Sequence, residues 1–144
     1  MPSDASQVRH SIMENIENSY NRDEVFKRRL HQIDDFQFNE NVANVFDDMV
    51  SRSVPYYNEI HRLITDYSNY FTSHEKNNLI WDLGCSTGTT IGILANHLKA
   101  NNKKCYFTGV DNSKPMIKKA DEKLTSIGIT NYNLKCGKIE DVEF

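Results

Sequence analysis

The sequence predicts an α/β fold: the first half of a doubly wound parallel sheet, preceded by helices. Three observations carry that prediction. Ile80-Trp81-Asp82-Leu83-Gly84-Cys85-Ser86-Thr87-Gly88-Thr89-Thr90 runs from an apolar strand through a loop of small residues into a helix with apolar period. Downstream, short apolar runs alternate with helically periodic segments, the pattern of successive βαβ units. Upstream lie two segments whose apolar residues recur at spacings of three and four.

Each element has its own signal. Residues 1–35 are polar and rich in Asn, Ser and charge. They read as a loosely held extension in which Val25, Phe26 and Leu30 line one face of a short helix. Asn39 is an N-cap with Glu40 in the first turn, and Val42, Val45, Phe46 and Met49 follow at helical spacing. Ser53-Val54-Pro55 breaks that helix. Pro55 starts a second one, whose expected buried stripe is Ile60, Leu63, Ile64 and Tyr67. After a polar loop at 73–78, residues 79–83 form a short buried strand. Residues 89–98 form a helix with Ile91, Leu94, Ala95 and Leu98 inward. A turn at 101–104 leads to a strand at 106–110 that ends at Asp111. Ser113 caps the next helix, with Pro115 in its first turn, Met116, Ile117, Ala120, Leu124 and Ile127 as its apolar positions, and Gly128 as terminator. A third strand spans 132–136.

Composition narrows the function classes. A chain of 144 residues suits one domain. At 38% hydrophobic, with no apolar run near the roughly 20 residues of a spanning helix, it excludes a membrane-embedded class. The N-terminus has no signal-peptide core, which makes the cytoplasm the expected location. Cys85, Cys105 and Cys136 are widely spaced and form neither a CxxC pair nor a Cys/His cluster, so reduced thiols and no metal site are expected. A net charge of −3 does not mark a nucleic-acid binder, and Lys103-Lys104 and Lys118-Lys119 are expected on solvated faces.

The loop at 84–88 carries the chemistry. Gly84 and Gly88 permit a tight turn and close ligand approach, Ser86 stands where a middle glycine is common, and the following helix offers its N-terminus. An ordinary βα turn is the bland alternative. The context, with Asp111 at the next strand tip about 20 residues on, favours a nucleotide-like ligand. The glycine spacing does not fit G-x-G-x-x-G, and no P-loop signature is present. Asp82 before the loop instead favours S-adenosylmethionine (SAM), whose amino group a strand-tip carboxylate can pair. Asp111 can accept from both ribose hydroxyls; its alternative is a surface residue opening a turn with Asn112. Gly137-Lys138-Ile139 follows the third strand, where adenine would lie. Lys138 offers only donors there, so the adenine amino group needs a backbone carbonyl or Glu140 as acceptor.

Three motifs make the resemblance specific: Phe38-Asn39-Glu40-Asn41-Val42-Ala43-Asn44-Val45-Phe46-Asp47-Asp48-Met49, then Arg52-Ser53-Val54-Pro55-Tyr56-Tyr57, and Asp111-Asn112-Ser113-Lys114-Pro115-Met116-Ile117 beside the Asp82-Leu83-Gly84-Cys85-Ser86 loop. Together they resemble the carboxy-S-adenosyl-L-methionine synthases, a family of the class I SAM-dependent methyltransferase superfamily with a Rossmann-like fold. The resemblance covers about 36–144, roughly the N-terminal half of such a protein. It implies a partial SAM-binding domain over 36–144 behind the 1–35 extension. The family converts SAM and prephenate into carboxy-SAM and phenylpyruvate, and the product feeds modification of a tRNA wobble uridine by a partner enzyme. By resemblance, Tyr57 contacts SAM, Gly84-Cys85-Ser86 hold its methionine end, Asp111-Asn112 hold ribose and adenosine, and Lys138-Ile139 occupy the adenine segment. For Tyr57, plain packing at a helix start is the alternative. With Asp82 and Gly88 these make the expected cofactor-binding set. The resemblance also implies a small-molecule substrate, no direct nucleic-acid contact, and a homodimer.

Phe144 falls where a doubly wound domain normally continues, and three parallel strands alone leave faces and an edge uncovered. The expectation is therefore a fold truncated after about its third strand. The family's substrate-carboxylate arginine belongs to the other half, and Arg52 does not match it, so no catalytic residue is assigned. An ordinary SAM-dependent methyltransferase, or a non-catalytic fragment that needs a separate C-terminal half, remains an alternative.

Overall fold

A computed structural model of the chain describes residues 37–143. The 1–35 extension, with Val25, Phe26 and Leu30, lies outside the described residues. In chain order these form α1 (Glu40–Ser53), α2 (Tyr57–Phe71), β1 (Asn78–Leu83), α3 (Thr89–Ala100), β2 (Cys105–Asp111), α4 (Lys114–Ser126), β3 (Tyr132–Cys136) and a 3-10 turn (Ile139–Asp141). The three strands are parallel and ordered β1-β2-β3. This is the 3-2-1 order of the first half of a doubly wound sheet.

The predicted caps are in place. Val42 N–H donates to Asn39 Oδ1 at 3.1 Å, and Met116 N–H donates to Ser113 Oγ at 3.4 Å. At the end of α4, Gly128 takes φ +75°, and Ile129 N–H returns to the Leu124 carbonyl at 3.0 Å. Only a residue without Cβ adopts that left-handed turn freely.

Phe107 centres the core on β2, with Ile91, Leu94 and Leu98 of α3 and Leu124 of α4 packed around it. A smaller cluster joins Val42 and Ala43 of α1 to Met116. In-register neighbours share a face of a parallel sheet. The helices therefore cover the face bearing Ile80, Phe107 and Tyr132, whereas on the opposite face Leu79 and Tyr106 are exposed and only Thr108 and Val110 of β2 are buried. Leu79 is 74% exposed, which corrects the expectation of a buried first strand. Its residues are as apolar as predicted, but β1 is an edge strand and no described layer covers its outer face. On that face Lys135 Nζ sits 5.0 Å from the Trp81 ring centroid, a cation–π contact.

Helix α2 departs from its predicted stripe. Its buried residues are His61 and Thr65, with Ile64 packed against the core, whereas Ile60, Leu63 and Tyr67 are exposed. The tertiary partner decided the face. Helix α2 lies on α3, where His61 Nε2 meets Thr90 Oγ1 at 3.3 Å. Close approach there selects the small and polar side over the most apolar one.

Lys103 also departs from expectation, being 7% exposed rather than solvated. Its ammonium donates to the Thr72 carbonyl at 3.0 Å and to the Asn69 carbonyl. Those carbonyls end α2, where the helix has no partners of its own and its dipole is negative. We expect Lys103→Met to cost about 1–3 kcal/mol in urea unfolding, the loss of charge-assisted bonds at a buried site. Lys104→Met on the exposed neighbour should stay within about 0.5 kcal/mol.

Candidate functional site

All three strands deliver their carboxyl ends to one place. After β1 the chain turns at Gly84 (φ +83°), where the Gly84 and Cys85 N–H groups both donate to the Val110 carbonyl, at 2.8 and 3.0 Å. Strand β2 ends at Asp111. Beyond β3, Gly137 N–H donates to the Asp111 carbonyl at 3.0 Å. Between these turns is a cleft of about 270 Å³. Of the predicted residues, Gly84, Asp111, Asn112, Lys138 and Ile139 line it, joined by Gly137 and Glu140. A crevice outside the carboxyl ends of parallel strands is where doubly wound sheets bind nucleotides.

Asp111 is the keystone of that crevice. Its Oδ2 accepts Ser86 N–H and its Oδ1 accepts Ser113 N–H, both at 2.9 Å. The side chain thereby staples the loop after β1 to the loop after β2. Each oxygen keeps a second lone pair, which leaves acceptor capacity for a pair of hydroxyls. Ser86 holds φ +49°, a left-handed conformation that a glycine would adopt at no cost; its bonded N–H pins it there.

Asp82 closes the end of β1. Its Oδ2 is buried and has no hydrogen-bond partner among the described residues. Burial first, and the nearby Asp111 charge second, push its carboxyl above the ordinary aspartate value. A buried carboxylate oxygen without a partner is costly, and a ligand ammonium at that point would satisfy it. Gly84 agrees with such a ligand, because a Cβ built on it would meet no atom within 4 Å. This donor-and-acceptor set fits SAM: a carboxylate for the amino group, an open glycine beside it, and Asp111 for the ribose.

The other predicted residues play less direct parts. Gly88 takes φ +73°, but the close approach it permits is to Ala120 of α4, whose Cβ would lie 3.1 Å from an added Cβ. Gly88 thus serves helix packing and does not line the cleft. The Cys85 side chain points into the core, leaving only its backbone near the loop. Burial, with the Asp82 and Asp111 charges behind it, pushes its thiol up to about 12. We expect iodoacetamide at pH 8 to label exposed Cys136 readily and to leave Cys85 unmodified until the protein unfolds. Tyr57, at the start of α2, also stands outside the cleft. Its ring meets His61 edge-on at a centroid distance of 4.4 Å. Burial, then the charges of Asp47 and Asp82, raise its phenol's pKa.

Glu140, named from sequence as a candidate acceptor, lies 4.0 Å from Lys138. Two contributors were not assigned from sequence. Asp47 and Lys123 form an ion pair behind the glycine loop. Asp47 carried one faint signal, being a carboxylate one turn beyond buried Ala43 on α1, though half-exposed itself.

Comparison with known proteins agrees with this geometry. A family described as "Methyltransferase domain" matches residues 74–144. The carboxy-S-adenosyl-L-methionine synthase of Shewanella sediminis is 37% identical over 123 residues, covering 85% of this chain and 49% of that protein. The chain thus spans about half the length of the curated relatives it matches. A solved structure assigned as an S-adenosyl-L-methionine-dependent methyltransferase, from Methanococcus maripaludis, superposes with a TM-score of 0.55 at 16% identity. It covers 78% of this chain and 48% of the other. A SAM-dependent methyltransferase from Aquifex aeolicus gives a TM-score of 0.52 at 14% identity, covering 74% and 50%. At those identities the superpositions speak for the fold alone. The chain thus has the fold of the class I SAM-dependent methyltransferases, its residues 74–144 match a methyltransferase domain, and over 85% of its length it is similar to about half of a carboxy-S-adenosyl-L-methionine synthase.

Proposed function

We propose that this chain binds SAM at the carboxyl ends of its strands and supplies the cofactor-binding portion of a carboxy-SAM synthase. One observation carries the reading: the buried, partnerless Asp82 Oδ2 at the tip of β1, beside a glycine with open space in front of it. A dinucleotide phosphate would bring a second negative charge to that point; the amino group of SAM brings the positive charge it needs.

In this reading Asp82 holds the amino group, the loop at 84–86 follows the methionine chain, and Asp111 takes the ribose hydroxyls. Lys138 and Ile139 border the adenine, and Glu140 accepts from its amino group. Tyr57 closes the side nearest α2. SAM supplies a sulfonium-activated methyl group. The reaction would be formation of carboxy-SAM with prephenate as carboxyl donor: SAM held by these residues would supply the methyl carbon and give up one proton from it, and prephenate would supply CO2 and a hydroxide that takes up that proton as water, leaving phenylpyruvate. The chain's own contribution is to orient the sulfonium and keep the cleft ordered. The setting is cytoplasmic and the protein homodimeric, and the product serves tRNA wobble-uridine modification through a partner, without nucleic-acid contact by this chain. Among the described residues no helix is long and apolar enough to cross a membrane.

Mass spectrometry of SAM incubated with the chain and prephenate tests the reaction. A SAM product heavier by one CO2, formed only with prephenate, is the expected outcome for a catalytically sufficient chain. A methylated acceptor with no need for prephenate would favour an ordinary methyltransferase. SAM binding without turnover would restrict this chain to the cofactor-binding role.

A further inference from the structure

The glycine loop is braced from behind by residues that do not touch the cleft. Helix α3 begins after Gly88, which has no side chain to cap it, and no hydrogen bond from a capping side chain is made there. Its place is taken by a cluster built from three elements. Thr87 Oγ1 donates to Asp47 Oδ1 of α1 at 2.6 Å, and Thr89 Oγ1 donates to the same oxygen at 3.1 Å. Lys123 of α4 donates to Asp47 Oδ2, to Thr87 Oγ1 at 3.0 Å and to Thr89 Oγ1 at 2.9 Å. One carboxylate and one ammonium therefore each hold both hydroxyls that flank Gly88.

The charges suit their positions. Asp47 brings a carboxylate to the N-terminus of α3, and Lys123 lies in the last turn of α4, each at the favourable end of a helix dipole. Burial acts to raise the Asp47 carboxyl's pKa, but the bonds from Lys123, Thr87 and Thr89 outweigh it and hold the group ionised below the usual aspartate value. Thr87 is 2% exposed, so its hydroxyl has no water to fall back on if Asp47 is lost. Its backbone follows Ser86, whose N–H is the Asp111 staple.

We propose that Asp47 and Lys123 form a tertiary cap that holds the 84–88 loop in its ligand-ready conformation, making both of them positioning residues for the cofactor although neither lines the cleft. The role in binding rests on the SAM reading above; the bracing of the loop does not.

Amide hydrogen exchange on the ligand-free chain, paired with SAM titration, tests this in Asp47→Asn and Lys123→Met. Each variant is expected to speed exchange of the Ser86 and Gly88 amides about tenfold, the scale of one charge-assisted hydrogen bond. The Phe107 and Gly109 amides of β2 should exchange as in the parent, a contrast that general destabilisation would not produce. SAM affinity should fall by a similar factor, and Asp47→Glu should restore part of both effects. Unchanged loop exchange in both variants would overturn the proposal, as would faster exchange spread equally over loop and sheet. A parent chain that does not bind SAM would refute the cofactor reading instead, with loop exchange still deciding the cap.

Discussion

Asp82→Asn is expected to lower SAM affinity about a hundredfold or more while making the ligand-free protein more stable. Both effects follow from one atom. Asp82 Oδ2 is buried without a partner among the described residues, and that burial, with the Asp111 charge behind it, opposes ionisation. A neutral amide removes that repulsion and the cost of a buried charge, on the order of 1 kcal/mol in favour of folding. The same amide cannot pair with an ammonium as a carboxylate does, and loss of one partner of a desolvated charge pair typically costs about 3 kcal/mol of binding. Thermal unfolding and calorimetric titration of the two proteins measure the two signs independently. A variant that lost stability and affinity together would make Asp82 a structural residue.

The pH dependence has a definite sign. The folded carboxyl titrates above the ordinary aspartate value of 3.8, so between 3.8 and its folded pKa the native state holds a proton that the unfolded chain has released. This group's contribution to stability is therefore full below 3.8 and is lost as pH rises through the folded pKa. SAM binding reverses the preference, because an ammonium favours the ionised form. Affinity should strengthen as pH rises through the same window, and Asp82→Asn should flatten both profiles.

Gly109→Val should be the most damaging single change to the fold. Gly109 lies mid-strand in β2, directly under the glycine loop. A Cβ there would come within 2.8 Å of Leu134 Cδ2 and 2.9 Å of both Cys85 Sγ and Ile91 Cδ1. Those atoms belong to β3, the loop and α3, all parts of one close-packed core, so none can retreat cheaply. Overpacking of this kind costs about 3 kcal/mol. Because Cys85 is among the displaced residues, the loop should shift as well, and SAM affinity should fall in protein that remains folded. Gly137→Ala is the matched control: a Cβ there meets nothing within 4 Å, and stability should change by less than about 0.5 kcal/mol. Denaturant unfolding of both variants measures the difference.

Local rules made most of the fold legible. Asn39 and Ser113 capped as their side chains allow, Gly128 ended its helix, and the third strand fell on 132–136 as predicted. Five of the predicted ligand residues converged on one cleft because strand-tip position is fixed by the βα alternation itself. What failed depended on partners distant in sequence. The exposed side of α2 carries Ile60, Leu63 and Tyr67, and nothing in their spacing says that α3 would instead receive His61 and Thr65. Lys103 looked like a solvated charge because the carbonyls it caps lie about thirty residues away. The same distance hid Asp47, which meets Thr87 across forty residues of chain.

Calorimetric titration of the purified chain with SAM, with NAD as control, decides whether the carboxyl ends of these three strands form a SAM site. Saturable heat with SAM and none with NAD is expected. A chain that unfolds cooperatively yet gives no heat with SAM would contradict such a site.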